Sequence, residues 1–202
     1  MTTTHAELDR QLRTLHDLGY PAAAGISDAD LDLLVKPLHD LLPETPDGPI
    51  PLLLVVRSTL VPTVDAVARW SVKGKAGWTD MADELAGYRP IDGVDVPDAP
   101  VYLLLDVDTG AETLNVRPDD ALPMVTARGR TPLTIDEGVA LVTQHPDVFK
   151  THNAFQALAS RADNKRIPSF WMSKGAPRLG WCWAGNPHTW LGAASAGSRL
   201  SV

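Results

Sequence analysis

The residues best suited to chemistry crowd the C-terminal quarter of the chain. Four of the six tryptophans fall between residues 171 and 190. Trp181 and Trp183 flank Cys182, and Asn186-Pro187-His188-Thr189 leads into Trp190. On a strand, Trp181 and Trp183 share one side and Cys182 takes the other. Asn186 and His188 sit in a turn whose side chains can hydrogen-bond. Arg161, Arg166, Lys174 and Arg178 stand just upstream. Aromatic planes beside guanidinium and ammonium groups suit a planar or anionic ligand. They equally suit a packed core whose indole N–H groups need partners. The candidate ligand-binding set is therefore Arg161, Arg166, Lys174, Arg178, Trp181, Trp183, Asn186, His188 and Trp190, weighed against packing alone. No catalytic residue and no cofactor can be named from it.

Other devices are weaker. The chain has no phosphate-binding G-x-x-x-x-G-K-[ST] loop, dinucleotide-binding G-x-G-x-x-G, nucleophile elbow or H-E-x-x-H helix. Asp108-Thr109-Gly110 matches the active-site turn of retroviral-type aspartic proteases locally. That chemistry needs a second carboxylate sharing the proton, and the chain carries no duplicate. A hairpin turn accounts for Asp and Gly here more simply. Asp106 and Asp108 begin a calcium-loop pattern that is not completed. His145, His152, Cys182 and His188 lack the paired spacing of a zinc site. No metal is expected, and Cys182 reads as a small buried hydrophobe.

Charge is uneven. Residues 151–202 carry six Lys/Arg against Asp163 alone, a balance of +5, whereas the rest of the chain carries −12, giving −7 in all. A basic end on an acidic body marks an anion site or simply pairs with that body. The acidic total and a pI near 5.2 argue against nucleic acid. No apolar run approaches the roughly 18 residues that cross a bilayer. No secretory signal is seen, and the single cysteine makes no internal disulfide. A soluble cytoplasmic protein without membrane contact is expected.

The elements that must hold these residues follow from periodicity. Leu8, Leu12, Leu15 and Leu18 form one helical stripe that Gly19 ends. Ser27 caps a second helix with Asp30, and Pro37 kinks or divides it. Residues 1–43 thus read as an N-terminal helical hairpin. A proline-rich linker separates it from an α+β domain over 51–202, leaving the hairpin as a semi-independent arm and a surface for self-association. Leu52–Arg57 and Val101–Val107 read as strands, the latter returning through Asp108-Thr109-Gly110 into Glu112–Val116. Thr134-Ile135-Asp136-Glu137 caps a helix running to about Gln144, and another helix is expected over Pro146–Ser160. Ser169–Ser173 and Leu179–Ala184 form a second hairpin. Segregated helices and strands give an α+β class, with one antiparallel-rich sheet flanked by helices.

Three stretches carry a family likeness: Arg130-Thr131-Pro132-Leu133-Thr134-Ile135-Asp136-Glu137-Gly138, the Ser160-Arg161 pair, and the run from Trp181 to Gly192. On these residues the chain resembles an actinobacterial family of domains of unknown function, firmly over about residues 100–200. The resemblance implies no activity and transfers no residue role. Two readings of function remain. One is a small-molecule-binding domain for an anionic or planar ligand, an enzyme or not, with its site in the C-terminal aromatic and basic residues. The other is a non-catalytic interaction or regulatory protein that docks through the N-terminal hairpin.

Overall fold

The computed structural model describes residues 4–44, 47–149 and 154–202. Helix α1 spans Thr4–Asp17 and ends where expected, with Gly19 in the left-handed region at φ 70°. The chain then restarts at once as α2, Tyr20–Ala24, because Pro21 falls in its first turn, where a missing N–H costs nothing. Helix α3, Asp28–Val35, carries the capping box: Ser27 Oγ accepts from Asp30 N, and Ser27 N donates to the Asp30 carboxylate. Pro37 divides this segment as expected, turning it into a 3-10 helix over Lys36–Leu41.

Two principal sheets follow. The first is antiparallel and three-stranded, with Val101–Val107 between Ile50–Val56 and Ser198–Leu200. The second has five strands in the order Leu191–Ala193, Ala154–Gln156, Arg166–Ser173, Ala176–Trp183 and Trp78–Thr79. Its inner pairs are antiparallel and its outer pairs parallel. The class is α+β with antiparallel-rich sheets. The single sheet joining Leu52–Arg57, Val101–Val107 and Leu179–Ala184 is corrected to two, because Ser198–Leu200 occupies the free edge of Val101–Val107.

Two further expectations change. No strand returns over Glu112–Val116: Asp108 and Ser195 exchange backbone hydrogen bonds at 2.9 Å, and the chain passes through a 3-10 turn, Ala111–Thr113, into helix α5, Pro118–Ala127. The helix expected over Pro146–Ser160 is a short 3-10 turn, Pro146–Val148, followed by the strands Ala154–Gln156 and Ser160–Arg161. Its apolar run is buried on all sides, and such a run has no period to tell strand from helix. Residues 150–153 of that expected helix lie outside the described residues. The C-terminal hairpin is present and longer than expected. Lys174 and Gly175 make its two-residue turn with φ of 55° and 78°, the positive values such hairpins need.

One core joins these parts. Helix α6, Ile135–Gln144, lies against the first sheet and against Phe170 of the second. Gly138 permits that approach, since a Cβ there would stand 2.4 Å from Phe170 Cζ. Leu8, Leu15, Leu31, Val35 and Leu38 of the N-terminal segment enter the same core. Gln11, fully buried in α1, donates to Leu52 O at 2.8 Å and accepts from Leu54 N at 2.6 Å. Tyr20 and Trp70 both reach Thr143 Oγ1 of α6 at 3.0 Å. The segments 1–43 and 51–202 therefore share one hydrophobic cluster.

Candidate functional site

Helix α6 is the element that positions a cleft of ligand size. Its first turn is held by a buried carboxylate. Glu137, the last residue of the capping box, accepts from Thr134 N at 2.7 Å and from Tyr102 Oη at 2.8 Å. Arg199, on the last strand, adds two charge-assisted bonds at 2.5 and 2.9 Å. Arg199 also donates to Pro132 O and Thr131 Oγ1, so one side chain ties the C-terminal strand to the approach of α6.

That anchored N-terminus opens onto a cleft of about 310 Å³. Arg57, Ser58 and Thr59 enter from the end of the Ile50–Val56 strand, Tyr88 and Arg89 from the loop ahead of residue 90, and Ser160 from the strand paired with it. Asp136 lies in the first turn of α6. One of its oxygens, Oδ2, accepts from both Ser58 N at 3.0 Å and Ser58 Oγ at 3.1 Å. Burial pushes the Asp136 carboxyl above its ordinary range, and the two Ser58 bonds and Arg57 pull against that rise. Ser160 Oγ accepts from Ile135 N at 2.9 Å, filling one of the free donors of the helix end.

The cations of the cleft are unequally committed. Arg57 Nη1 donates to Pro97 O at 3.0 Å and to the exposed Asp98 carboxylate at 3.3 Å, while its Nε is buried without a partner. Arg89 donates to the backbone carbonyls of Ala86 and Tyr88, and no carboxylate among the described residues pairs with it. The positive end of α6 adds to both. The arrangement can hold a small anion and hydrogen-bond its substituents.

None of the residues singled out from the sequence lines this cleft. Arg161 is nearest: its strand pairs with Arg89-Pro90, and its charge reaches the buried Tyr88 hydroxyl. Burial pulls the Arg161 pKa down, Nη1 has no partner, and Asp119 stands 3.9 Å away. Arg166 pairs with Glu84, stacks on Trp181 at 4.1 Å and lies 5.9 Å from Trp183. Arg178 pairs with Asp80 and lies between Trp78 and Trp171, 4.5 Å from each ring. Trp181 and Trp183 meet edge to face at 4.8 Å, and Trp190 contacts Trp171 and His188. Burial lowers the His188 pKa and raises that of Cys182. Asn186 is exposed in the turn, and Lys174 serves the hairpin turn, its carbonyl accepting from Lys75 Nζ at 3.0 Å. The structure thus places Arg166, Arg178, Trp181 and Trp183 on the second sheet, with Arg166 and Arg178 matched by Glu84 and Asp80.

Sequence reasoning missed Arg57, Ser58, Tyr88, Arg89, Asp136 and Ser160 as neighbours. It also missed Arg199 as the partner of Glu137. One signal was present: Asp136 lies inside the Thr134–Glu137 capping box, which places a helix N-terminus there. A second, smaller cleft of about 180 Å³ lies between Arg130 and Asp108. There Asp108 Oδ1 accepts from Gly110 N at 2.5 Å, the bond of a simple turn. Among the described residues no helix is long and apolar enough to cross a membrane, and no group of three or more His, Cys, Asp or Glu could hold a metal ion.

No curated protein and no solved structure matches this chain. A family model does, over residues 14–202, taking in the last turn of α1, the α6 cleft and the aromatic sheet. By that match the chain belongs to the family of unknown function DUF5701.

Proposed function

We propose that this domain binds a small anionic molecule in the cleft at the N-terminus of α6. The observation that carries the reading is Arg89, a guanidinium unmatched by any described carboxylate, beside Arg57 on a cleft of ligand size. The aromatic face is the less favoured place for the anion, because Glu84 and Asp80 already offset Arg166 and Arg178. A docking role for the N-terminal helices draws less support, since α1 and α3 turn Leu8, Leu15, Leu31 and Val35 into the core.

The test is a thermal-shift and calorimetric screen of the whole chain with phosphate, citrate, sugar phosphates and nucleotides. A ligand at a hundred times its Kd stabilises by about 2.7 kcal/mol. For a chain of this size that is a rise in Tm of roughly 5–11 °C. Arg89→Ala is expected to weaken binding about ten- to a hundredfold, since one charge-assisted bond is worth about 1.5–3 kcal/mol. The unliganded Tm should barely move, because Arg89 is exposed. A panel without any shift would overturn the proposal. So would binding that survives Arg89→Ala and Arg57→Ala but is lost in Arg166→Ala or Arg178→Ala, which would move the site to the aromatic face.

A further inference from the structure

Asp136 is the one carboxylate among the residues lining the α6 cleft. A pure anion bound by Arg57 and Arg89 would be repelled by it. Its two oxygens are used differently. Oδ2 takes both Ser58 donors, whereas no group among the described residues donates to Oδ1. Ser58 holds the carboxyl in place, so the free oxygen is a fixed acceptor on the cleft wall. A carboxylate oxygen accepts and cannot donate while ionised. Whatever satisfies it must bring an O–H or N–H. The remaining polar lining includes the hydroxyls of Thr59 and Thr63, which donate or accept.

Resting on the anion-site reading above, we infer that the ligand is two-ended: an anionic group held at Arg89 and Arg57, and a hydroxyl hydrogen-bonded to Asp136 Oδ1. Size narrows this further. A water occupies about 30 Å³ of liquid, so a cleft of about 310 Å³ holds about ten such volumes. That admits a three- or four-carbon hydroxylated phosphate or hydroxy acid. A hydroxyl is favoured over an ammonium because the neighbouring guanidinium groups repel a second cation.

The discriminating experiment is calorimetric binding of matched pairs. Glycerol 3-phosphate is compared with n-propyl phosphate, and L-malate with succinate, so that each pair differs in hydroxyl content while keeping the anion. The two pairs separate a phosphate from a carboxylate as the anionic end. The expected result is at least tenfold tighter binding of the hydroxylated member in one pair or the other. Asp136→Ala should bring the two members of that pair within about twofold of each other, leaving the non-hydroxylated member bound as before or more tightly. Should Asp136→Ala fail to fold, Asp136→Asn retains an acceptor for Ser58 and should show the same hydroxyl preference reduced several-fold. Equal binding of both members in both pairs overturns this inference and leaves the anion site standing. A hydroxyl preference that is undiminished in the Asp136 variants overturns it too. Binding of no anion at all overturns both this inference and the proposal beneath it.

Discussion

Removing Arg199 should be among the most damaging single changes in this protein, and the structure gives the magnitude. Glu137 has no exposed surface and accepts four hydrogen bonds, two of them from Arg199. Arg199→Met keeps much of the side-chain volume and deletes the charge. The carboxylate then stays buried with only Tyr102 and Thr134 as donors. Breaking a buried pair from one side costs about 3–5 kcal/mol, because the remaining charge has neither water nor partner. At roughly 2–4 °C per kcal/mol for a chain this long, Tm falls by about 6–20 °C. Glu137→Gln alone strands the guanidinium in the same way and should cost about as much. The double variant removes both charges, so its loss should be close to that of either single change, a coupling on the order of 3 kcal/mol. Urea unfolding followed by tryptophan fluorescence measures all three. A loss below about 1 kcal/mol for Arg199→Met, or a double variant as unstable as the sum, would refute the claim that this pair holds the first turn of α6.

Three further outcomes rest on buried groups. Gln11→Ala leaves Leu54 N–H and Leu52 C=O of a buried strand unpaired, at about 1–3 kcal/mol each. The same reasoning says that deleting residues 1–43 leaves a chain without a cooperative unfolding transition, which circular dichroism would show. His145 is held below its usual pKa, first by burial and then by Arg10, with Glu7 and Asp147 opposing. The folded state therefore favours neutral imidazole. Its contribution is present above the unfolded value of about 6.5 and is lost as pH falls through the folded value. His145→Gln should lose less stability than the wild type between pH 7.5 and 5, and parallel pH profiles would contradict that assignment.

What the sequence made legible were features set by neighbours along the chain. The Leu8–Leu18 stripe, the Ser27 and Thr134 capping boxes, the break at Pro37 and the C-terminal hairpin each depend on a few adjacent residues, and each appears in the fold. The failures have the opposite character. Ala154–Leu158 is apolar enough for either helix or strand, and its place between Leu191–Ala193 and Arg166–Ser173 decides the matter. The second edge of Val101–Val107 goes to residues almost a hundred positions later, which turns one expected sheet into two. The Glu44–Pro51 stretch reads as a linker because it is rich in proline, yet the helices before it supply Gln11 to the strand after it.

The site shows the same division more sharply. The tryptophans and arginines of the last fifty residues stand close in sequence, which made them conspicuous. Strand register then fixes what they do: Arg166 lies opposite Trp183, and Arg178 opposite Trp171, so each guanidinium is delivered onto an indole. The carboxylates that complete these contacts, Glu84 and Asp80, come from a loop some eighty to a hundred positions earlier. No spacing rule links them. The α6 cleft has the reverse history. Its polar groups come from residues 57–63, 88–89, 134–136 and 160, and each looks ordinary where it stands: a strand end, a loop, a helix cap, a residue after an apolar run. Only the packing of α6 on the Ile50–Val56 strand sets Asp136 against Ser58, and only the pairing of Arg89 with Arg161 brings Tyr88 and Ser160 alongside. A cleft assembled from cap, strand end and edge pairing is written in the tertiary contacts. Of its arginines, Arg57 meets the exposed Asp98, and Arg89 meets only backbone carbonyls among the described residues.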